Sequence, residues 1–257
     1  MIVPIVFFAA ITPPLLLLWF FHSRDLNREP RAVVWRAFVF GMLAIVPDVL
    51  IALPLDKLLI VRLSEPFSKT LLKVLLTAAA PEELCKLFVI WFYCARHREF
   101  DEPMDGIVYG AIVGLGFATL ENVLYVAQSG IGIALLRAFT AVPGHAFMGA
   151  IMGYFVGQAK FRGSGKGALL AKAYLVPVAL HTLVDLGPIF ALVIKNTPDE
   201  HRYKPIVVAL LALMLAVLVF EWRWALRLLR RLRAEQETLA AANALQAQRA
   251  RDLASIA

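Results

Sequence analysis

Cysteine is nearly absent from this chain, with two residues, Cys85 and Cys94, in 257. Both sit in one apolar block, nine positions apart, so a disulfide framework is not indicated and they read as small apolar fillers. No internal repeat is visible, a feature that many transporters carry. No second soluble domain stands out. The first apolar stretch lacks a basic leader region and is longer than a signal-peptide core, so it reads as a retained helix rather than a cleaved signal. Charged residues make up only 18% of the chain.

What is abundant is apolar surface. The hydrophobic fraction is 60%, whereas a soluble domain sits near about 45–50%. The excess is gathered into blocks separated by short charged loops, the pattern of a polytopic membrane protein. Seven blocks run roughly Val3–Phe21, Ala32–Leu55, Thr70–Cys94, Gly106–Val126, Ile131–Tyr154, Ala168–Ile194 and Pro205–Phe220. A helix needs about 20 residues to cross a bilayer core of about 30 Å. The expected fold is therefore an all-α bundle of about seven spanning helices, with six to eight as the range. Pro13 and Pro14 are expected to kink the first helix, and Pro177 and Pro188 to kink or break the sixth. The seventh block is short, and Trp222 and Trp224 extend it into the interface.

The net charge of +7 belongs to orientation rather than to nucleic acid. With the N-terminus outside, the cytoplasmic segments carry Arg24, Arg28, Arg31, Arg36, Arg96, Arg98, Lys160, Arg162 and Lys166, together with the arginines of the tail. The outer loops carry only Lys57, Arg62, Lys69, Lys195, Arg202 and Lys204. This asymmetry places the C-terminus in the cytoplasm. Residues 1–221 read as a transmembrane helical domain, and residues 222–257 as a basic cytoplasmic helix or tail suited to anionic headgroups. Within that tail, residues 234–257 read as a solvated helix or a frayed end.

Ionisable groups inside the blocks are the informative feature, because each costs about 2.5–3.5 kcal/mol at a helix centre. The third block holds Glu82, Glu83 and Lys86, and the fourth Phe117, Glu121 and Asn122. The fifth holds His145, and the sixth His181 and Asp185. Glu82 and Glu83 lie four and three positions before Lys86, so either carboxylate reaches the ammonium on one helix face. The two carboxylates point about 100° apart, which allows one to meet substrate while the other pairs with Lys86. His181 and Asp185 are four apart, so the carboxylate can orient the imidazole. Phe117, one turn before Glu121, would wall the groups from lipid. At about 1.5 Å per residue, Glu82 lies about 18 Å into its helix from Thr70. The groups then gather in the middle-to-outer membrane.

Each motif alone has a structural reading: a packing ion pair for Glu82, Glu83 and Lys86, an interhelical pair for His181 and Asp185, and an interfacial position for His145. Asp48 beside Pro47 is expected to be structural or interfacial. Arg137 is expected to snorkel or cap the start of the fifth helix. Four motifs on four helices nonetheless point to one site.

The ordered set Glu82-Glu83-x-x-Lys86, Phe117-x-x-x-Glu121-Asn122, His145 and His181-x-x-x-Asp185 resembles the PrsW family of intramembrane proteases, over roughly residues 70–190. That family is related to the CAAX prenyl endopeptidases and is distantly similar to the scaffold subunit of gamma-secretase. The resemblance implies an endopeptidase in a bacterial inner membrane. It also implies a single-pass membrane protein as substrate, with first-site cleavage of an anti-sigma factor as the founding role.

Peptide hydrolysis needs an activated water, a polarised carbonyl and a proton for the leaving amine. Glu82 or Glu83 is the expected general base. His145 and His181 hold the water or stabilise the oxyanion, and Asp185 orients His181. Glu121 and Asn122 bond the water or the substrate backbone, and Lys86 keeps one glutamate ionised. A Zn²⁺ version stays open, with Glu121, His145 and His181 as ligands. The sequence leans to the metal-free form, because it has no H-E-x-x-H motif. The other classes left open are a non-catalytic scaffold that binds partner helices and a proton-coupled transporter.

Overall fold

The computed structural model describes residues 2–59, 65–129, 131–162 and 164–256, and these are almost entirely helical. Arg62, counted above with the outer loops, lies outside them. The helices are α1 (Ile2–Arg24), α2 (Arg31–Leu43), α3 (Ile45–Leu59), α4 (Pro66–Val74), α5 (Ala80–Phe92), α6 (Pro103–Ser129), α7 (Ile131–Phe139), α8 (Ala141–Phe161), α9 (Lys166–Ile194) and α10 (Glu200–Ile256). They form seven rods, because α2 runs on into α3, α4 into α5, and α7 into α8. The molecule is an all-α polytopic bundle.

Five segments among the described residues are long and apolar enough to cross a membrane: Arg31–Leu58, Pro103–Ala127, Leu135–Phe161, Lys166–Ile194 and Glu200–Ala254. The α4–α5 rod carries Lys69, Lys73, Glu82, Glu83 and Lys86, charges that hide its membrane character from a hydropathy scan.

Prolines set the internal joints. Pro81 has no N–H to donate to the turn before it, and a π-helical turn, Leu75–Ala79, precedes it. The wide turn sits directly ahead of Glu82 and Glu83. Pro143 fits the first turn of α8, where a missing N–H costs little. The fifth block therefore divides at Thr140 into α7 and α8 instead of forming one helix from Ile131 to Tyr154. Pro177 and Pro188, by contrast, do not break α9, which runs unbroken from Lys166 to Ile194. Helix α1 likewise runs through Pro13 and Pro14.

The core is the pairing of α6 with α8. Two apolar helices gain little from leaving lipid for each other, so close packing has to hold them. Small residues supply it. A Cβ on Gly110 would run into the carbonyl of Gly149, and one on Gly153 into the carbonyl of Gly106. The same stripe continues toward the polar centre, where a Cβ on Gly114 would strike the carbonyl oxygen of His145. Gly116 faces the other way and admits the backbone of Phe38 from α2. Large apolar side chains such as Trp19, Leu50, Phe88, Phe139 and Leu192 point outward.

Helix α10 spans 57 residues, about 85 Å at 1.5 Å per residue, far more than a bilayer core needs. Its second half is helical throughout the described residues and is not wholly solvated. Gln236 is buried and donates to Asp25 Oδ1 at 2.7 Å, docking the helix on the α1–α2 loop.

Candidate active site

The sequence motifs meet in one buried network. Lys86 Nζ lies 2.8 Å from Glu83 Oε1, 3.3 Å from Glu82 Oε2 and 2.9 Å from His145 Nδ1. Both carboxylates thus reach the ammonium, where the sequence expectation had one pair and the other stay free. They differ in exposure: Glu83 is fully buried, whereas Glu82 keeps 9% of its surface. Phe117 lies beneath the ammonium, with Nζ 4.2 Å from the ring centroid, and its ring is 5.8 Å from that of His145.

The histidines make different demands. His145 Nδ1 faces the ammonium and Nε2 faces Glu121 Oε2 at 2.9 Å. Both contacts are satisfied by the neutral ring with its proton on Nε2. His181 has carboxylates at both nitrogens: Glu83 Oε1 at 2.9 Å from Nδ1 and Asp185 Oδ2 at 3.3 Å from Nε2. With both carboxylates ionised, the two contacts are hydrogen bonds at once only when the ring carries two protons. Glu82 Oε2 stands 3.9 Å from the same Nε2, and the two imidazoles sit edge to face at 5.3 Å.

Arg137 departs from expectation. It neither snorkels nor caps. It ends α7 and turns inward, with Nη2 2.6 Å from Glu121 Oε2 and Nε 3.3 Å from Asn122 Oδ1. Asn122 is fully buried and donates to the carbonyl of Ala10 at 3.1 Å, so its amide ties α6 to α1 and α7.

Two buried acids were not assigned chemistry from the sequence. Asp48 on α3 lies within electrostatic range of Lys86, Glu121 and His181, and its Oδ1 has no hydrogen-bond partner among the described residues. Glu221 on α10 is fully buried, and neither of its carboxylate oxygens has one. It lies behind Gly144, where a Cβ would come 3.9 Å from Glu221 Oε2. The only signal for Glu221 was a charge at the end of an apolar block, which reads equally well as the block's boundary.

A cavity of about 20 Å³ lies inside the network, lined by Glu121, Arg137, Gly144, His145, His181 and Asp185, among others. That is room for about one water, with enough polar partners to hold it. A larger apolar cleft of about 390 Å³ opens between the α2–α3 rod and α5, lined by Leu43, Pro47, Leu84, Cys85 and Phe88, among others. Cys85 sits on α5 between Glu82 and Lys86.

Comparison with known proteins settles the family. A family described as "PrsW family intramembrane metalloprotease" matches residues 29–220. The chain is 40% identical over 178 residues to "Protease PrsW" of Geobacillus kaustophilus, covering 69% of this chain and 76% of that protein. It is 36% identical to "Protease PrsW" of Bacillus subtilis, covering 69% of this chain and 79% of that one. The "Protease PrsW" of Clostridioides difficile is 30% identical, over 70% of this chain and 77% of its own length.

The chain belongs to the PrsW family of intramembrane proteases. It is a multi-pass membrane protease, and its substrates are membrane-embedded. No solved structure matches the chain.

The family's description implies a metal, and the donor chemistry here fits one. Glu82, Glu83, His145 and His181 each offer a ligand atom, all within 4.8 Å of one another. Two imidazoles and two carboxylates suit zinc. Glu83 Oε2 is buried without a hydrogen-bond partner among the described residues. This group has the two glutamates where sequence reasoning had Glu121, which instead holds the Nε2 edge of His145. The Lys86 ammonium lies among the same donors.

Proposed function

We propose that this PrsW-family protease cuts a single-pass membrane protein within or beside the bilayer, using a carboxylate-activated water. The observation that carries the reading is the one-water cavity enclosed by Glu121, His145, His181 and Asp185, with Glu82 and Glu83 reached through His181.

In this reading Glu82, the more accessible of the two glutamates, is the general base and acts through His181: it takes the Nε2 proton across the 3.9 Å between them, and the freed nitrogen takes the proton of the water. Glu83 holds Lys86 and fixes His181 through Nδ1. His181, with a carboxylate at each nitrogen, stabilises the oxyanion of the tetrahedral intermediate and then passes a proton to the leaving amine. His145 and Glu121 hold the water, and Asp185 sets the orientation of His181. The substrate helix approaches along the apolar cleft beside Cys85, which brings its backbone toward Glu82.

A second reading is favoured by the clustered donors. Glu82, Glu83, His145 and His181 would hold Zn²⁺, which when bound lowers the pKa of its water and polarises the scissile carbonyl. We favour the form in which Lys86 occupies the centre, because its ammonium already compensates the two carboxylates and meets His145.

An anti-sigma factor is the proposed substrate. The site of action is the bacterial inner membrane, with the N-terminus outside and the C-terminus in the cytoplasm.

The deciding experiment is cleavage of a single-pass reporter by purified protein in liposomes, comparing wild type with Glu82→Gln and Glu83→Gln, with and without chelator. Cleavage by wild type alone supports the glutamate site. Loss of cleavage on chelation, restored by Zn²⁺ together with bound zinc in the purified protein, moves the reading to the metal form. A folded Glu82→Gln variant that still cuts removes Glu82 as the base.

A further inference from the structure

A second polar centre lies at the other end of the bundle. Asp105 opens α6, while Glu121 lies sixteen residues further on, about 24 Å along the helix at 1.5 Å per residue. Around Asp105 gather Asp25 and Glu29 from the loop between α1 and α2. All three carboxylates are buried, at 1%, 2% and 5% exposure for Asp105, Asp25 and Glu29. Each offers an oxygen, and these oxygens lie within 4.8 Å of one another.

The protein's own donors satisfy only part of this cluster. Asp105 Oδ2 accepts the backbone N–H groups of Asp101 and Glu102 at 2.7 and 2.8 Å. Asp25 Oδ1 accepts from the backbone of Asn27 at 3.0 Å and from Gln236 Nε2 at 2.7 Å. Glu29 Oε2 accepts from the Tyr109 hydroxyl at 2.7 Å. Three oxygens remain, Glu29 Oε1, Asp25 Oδ2 and Asp105 Oδ1, and the last two are buried without a hydrogen-bond partner among the described residues.

Countercharge is also missing where it would be expected. Arg24, Arg28 and Arg31 flank the loop in sequence, yet no arginine or lysine forms an ion pair with Asp25, Glu29 or Asp105 among the described residues. Lys160, which feels the charge of Asp105, donates instead to the carbonyl of Phe100 and lies over its ring. Buried carboxylates this close without a cation are costly.

We infer that Asp25, Glu29 and Asp105 form a binding site for a hard divalent cation, Ca²⁺, which joins the α1–α2 loop to the start of α6. The donor set is all oxygen and all anionic, the preference of Ca²⁺ and Mg²⁺ rather than of zinc. Ca²⁺ fits better, because Mg²⁺ keeps several of its own waters and these side chains are closed to solvent. Gln236 bridges Asp25 and Glu102, so the cation would also seat the long extension of α10.

The geometry supplies its own probe. Tyr109 touches Glu29, so Tb³⁺ bound at the site would be excited through the phenol. The full-length protein, stripped of metal in detergent micelles, is titrated with Tb³⁺, and Ca²⁺ or Mg²⁺ is then added in competition. The expected result is saturable luminescence displaced by Ca²⁺ well before Mg²⁺, together with a rise in unfolding temperature on adding Ca²⁺. Asp105→Asn and Asp25→Asn should each weaken Ca²⁺ binding by at least about tenfold, and Tyr109→Phe should dim the luminescence while leaving the Ca²⁺-induced stabilisation. Glu83→Gln, in the other polar centre, should change neither. Should Asp105→Asn not fold, Asp25→Asn carries the test alone. No saturable signal, or an equal signal in the folded aspartate variants, overturns the site and leaves protons as the countercharge. Loss of the signal in a Glu83→Gln protein that is still folded assigns it to the active-site donors and overturns the proposal as well.

Discussion

Glu83 and His181, 98 positions apart in the chain, meet at 2.9 Å through Oε1 and Nδ1, and the same oxygen takes the Lys86 ammonium at 2.8 Å. One buried oxygen therefore fixes both the imidazole and the ammonium. Glu82 shares the ammonium but sits nearer the surface. Glu83→Gln should disorder His181 and loosen Lys86, lowering both stability and cleavage. Glu82→Gln should leave the fold within about 1 kcal/mol of wild type while cutting the cleavage rate by about 10²–10⁴, the usual contribution of a general base. Thermal unfolding measured beside single-turnover cleavage separates the two, and equal effects on both readouts would show that the glutamates are not divided in role.

Lys86 is fully enclosed, so its removal leaves two carboxylates without their cation. Lys86→Met should destabilise by about 3–5 kcal/mol, the cost of breaking a buried pair. Adding Glu83→Gln to Lys86→Met should return part of that stability without returning activity. If the double variant is as unstable as the sum of the two singles, the ion pair is not what holds α5 to α8 and α9.

Much of this site was legible in the sequence because charge inside an apolar block is conspicuous. Glu82, Glu83, Lys86, His145, His181 and Asp185 were each marked by the energy they cost in a helix. Seven blocks gave seven rods for the same reason. Arg137 escaped because it lies near a block's beginning, where a snorkelling arginine is ordinary. Its contacts with Glu121 and Asn122 on α6 appear only once the fold sets α7 against that helix. The glycine stripe shows in the sequence as Gly106, Gly110 and Gly114 facing Gly149 and Gly153, but spacing alone does not say which helix lies opposite.

That stripe positions the site. Gly114 meets the carbonyl of His145, so any side chain there pushes His145 away from Glu121 and Lys86. Gly114→Ala should cost about 1–3 kcal/mol by overpacking and reduce cleavage further than the stability loss explains. Gly132→Ala, which has open space around it, should be silent in both assays. A silent Gly114→Ala would mean that α6 and α8 have room to separate.

Glu65 offers a pH test outside the membrane. Its carboxylate caps α4, accepting the N–H groups of Phe67 at 3.1 Å and Ser68 at 2.6 Å, and those backbone hydrogen bonds hold it below its ordinary value of 4.5. A depressed carboxylate gives stability that is present above the unfolded value and lost as pH falls through the folded one. The protection factors of the Phe67 and Ser68 amides, each taken against the unstructured exchange rate at the same pH, should therefore fall as pH drops below 4.5. Glu65→Ala should show the low protection factors at every pH.

Glu221 combines full burial with two carboxylate oxygens that have no hydrogen-bond partner among the described residues. An unsatisfied buried polar group costs about 1–3 kcal/mol, so Glu221→Leu should stabilise the bundle by about that amount. The carboxyl is within electrostatic range of His181, Glu83 and Asp185 and lies behind Gly144, which lines the water cavity. Cleavage should therefore fall in the same variant, the exchange of stability for activity expected where a strained group serves a site. Glu221→Gln, which keeps shape and polarity but cannot exchange a proton, should lose cleavage without the full stability gain. A Glu221→Leu protein that is less stable than wild type would show that the carboxyl has a partner after all, and one that is more stable and equally active would free Glu221 of any part in the reaction.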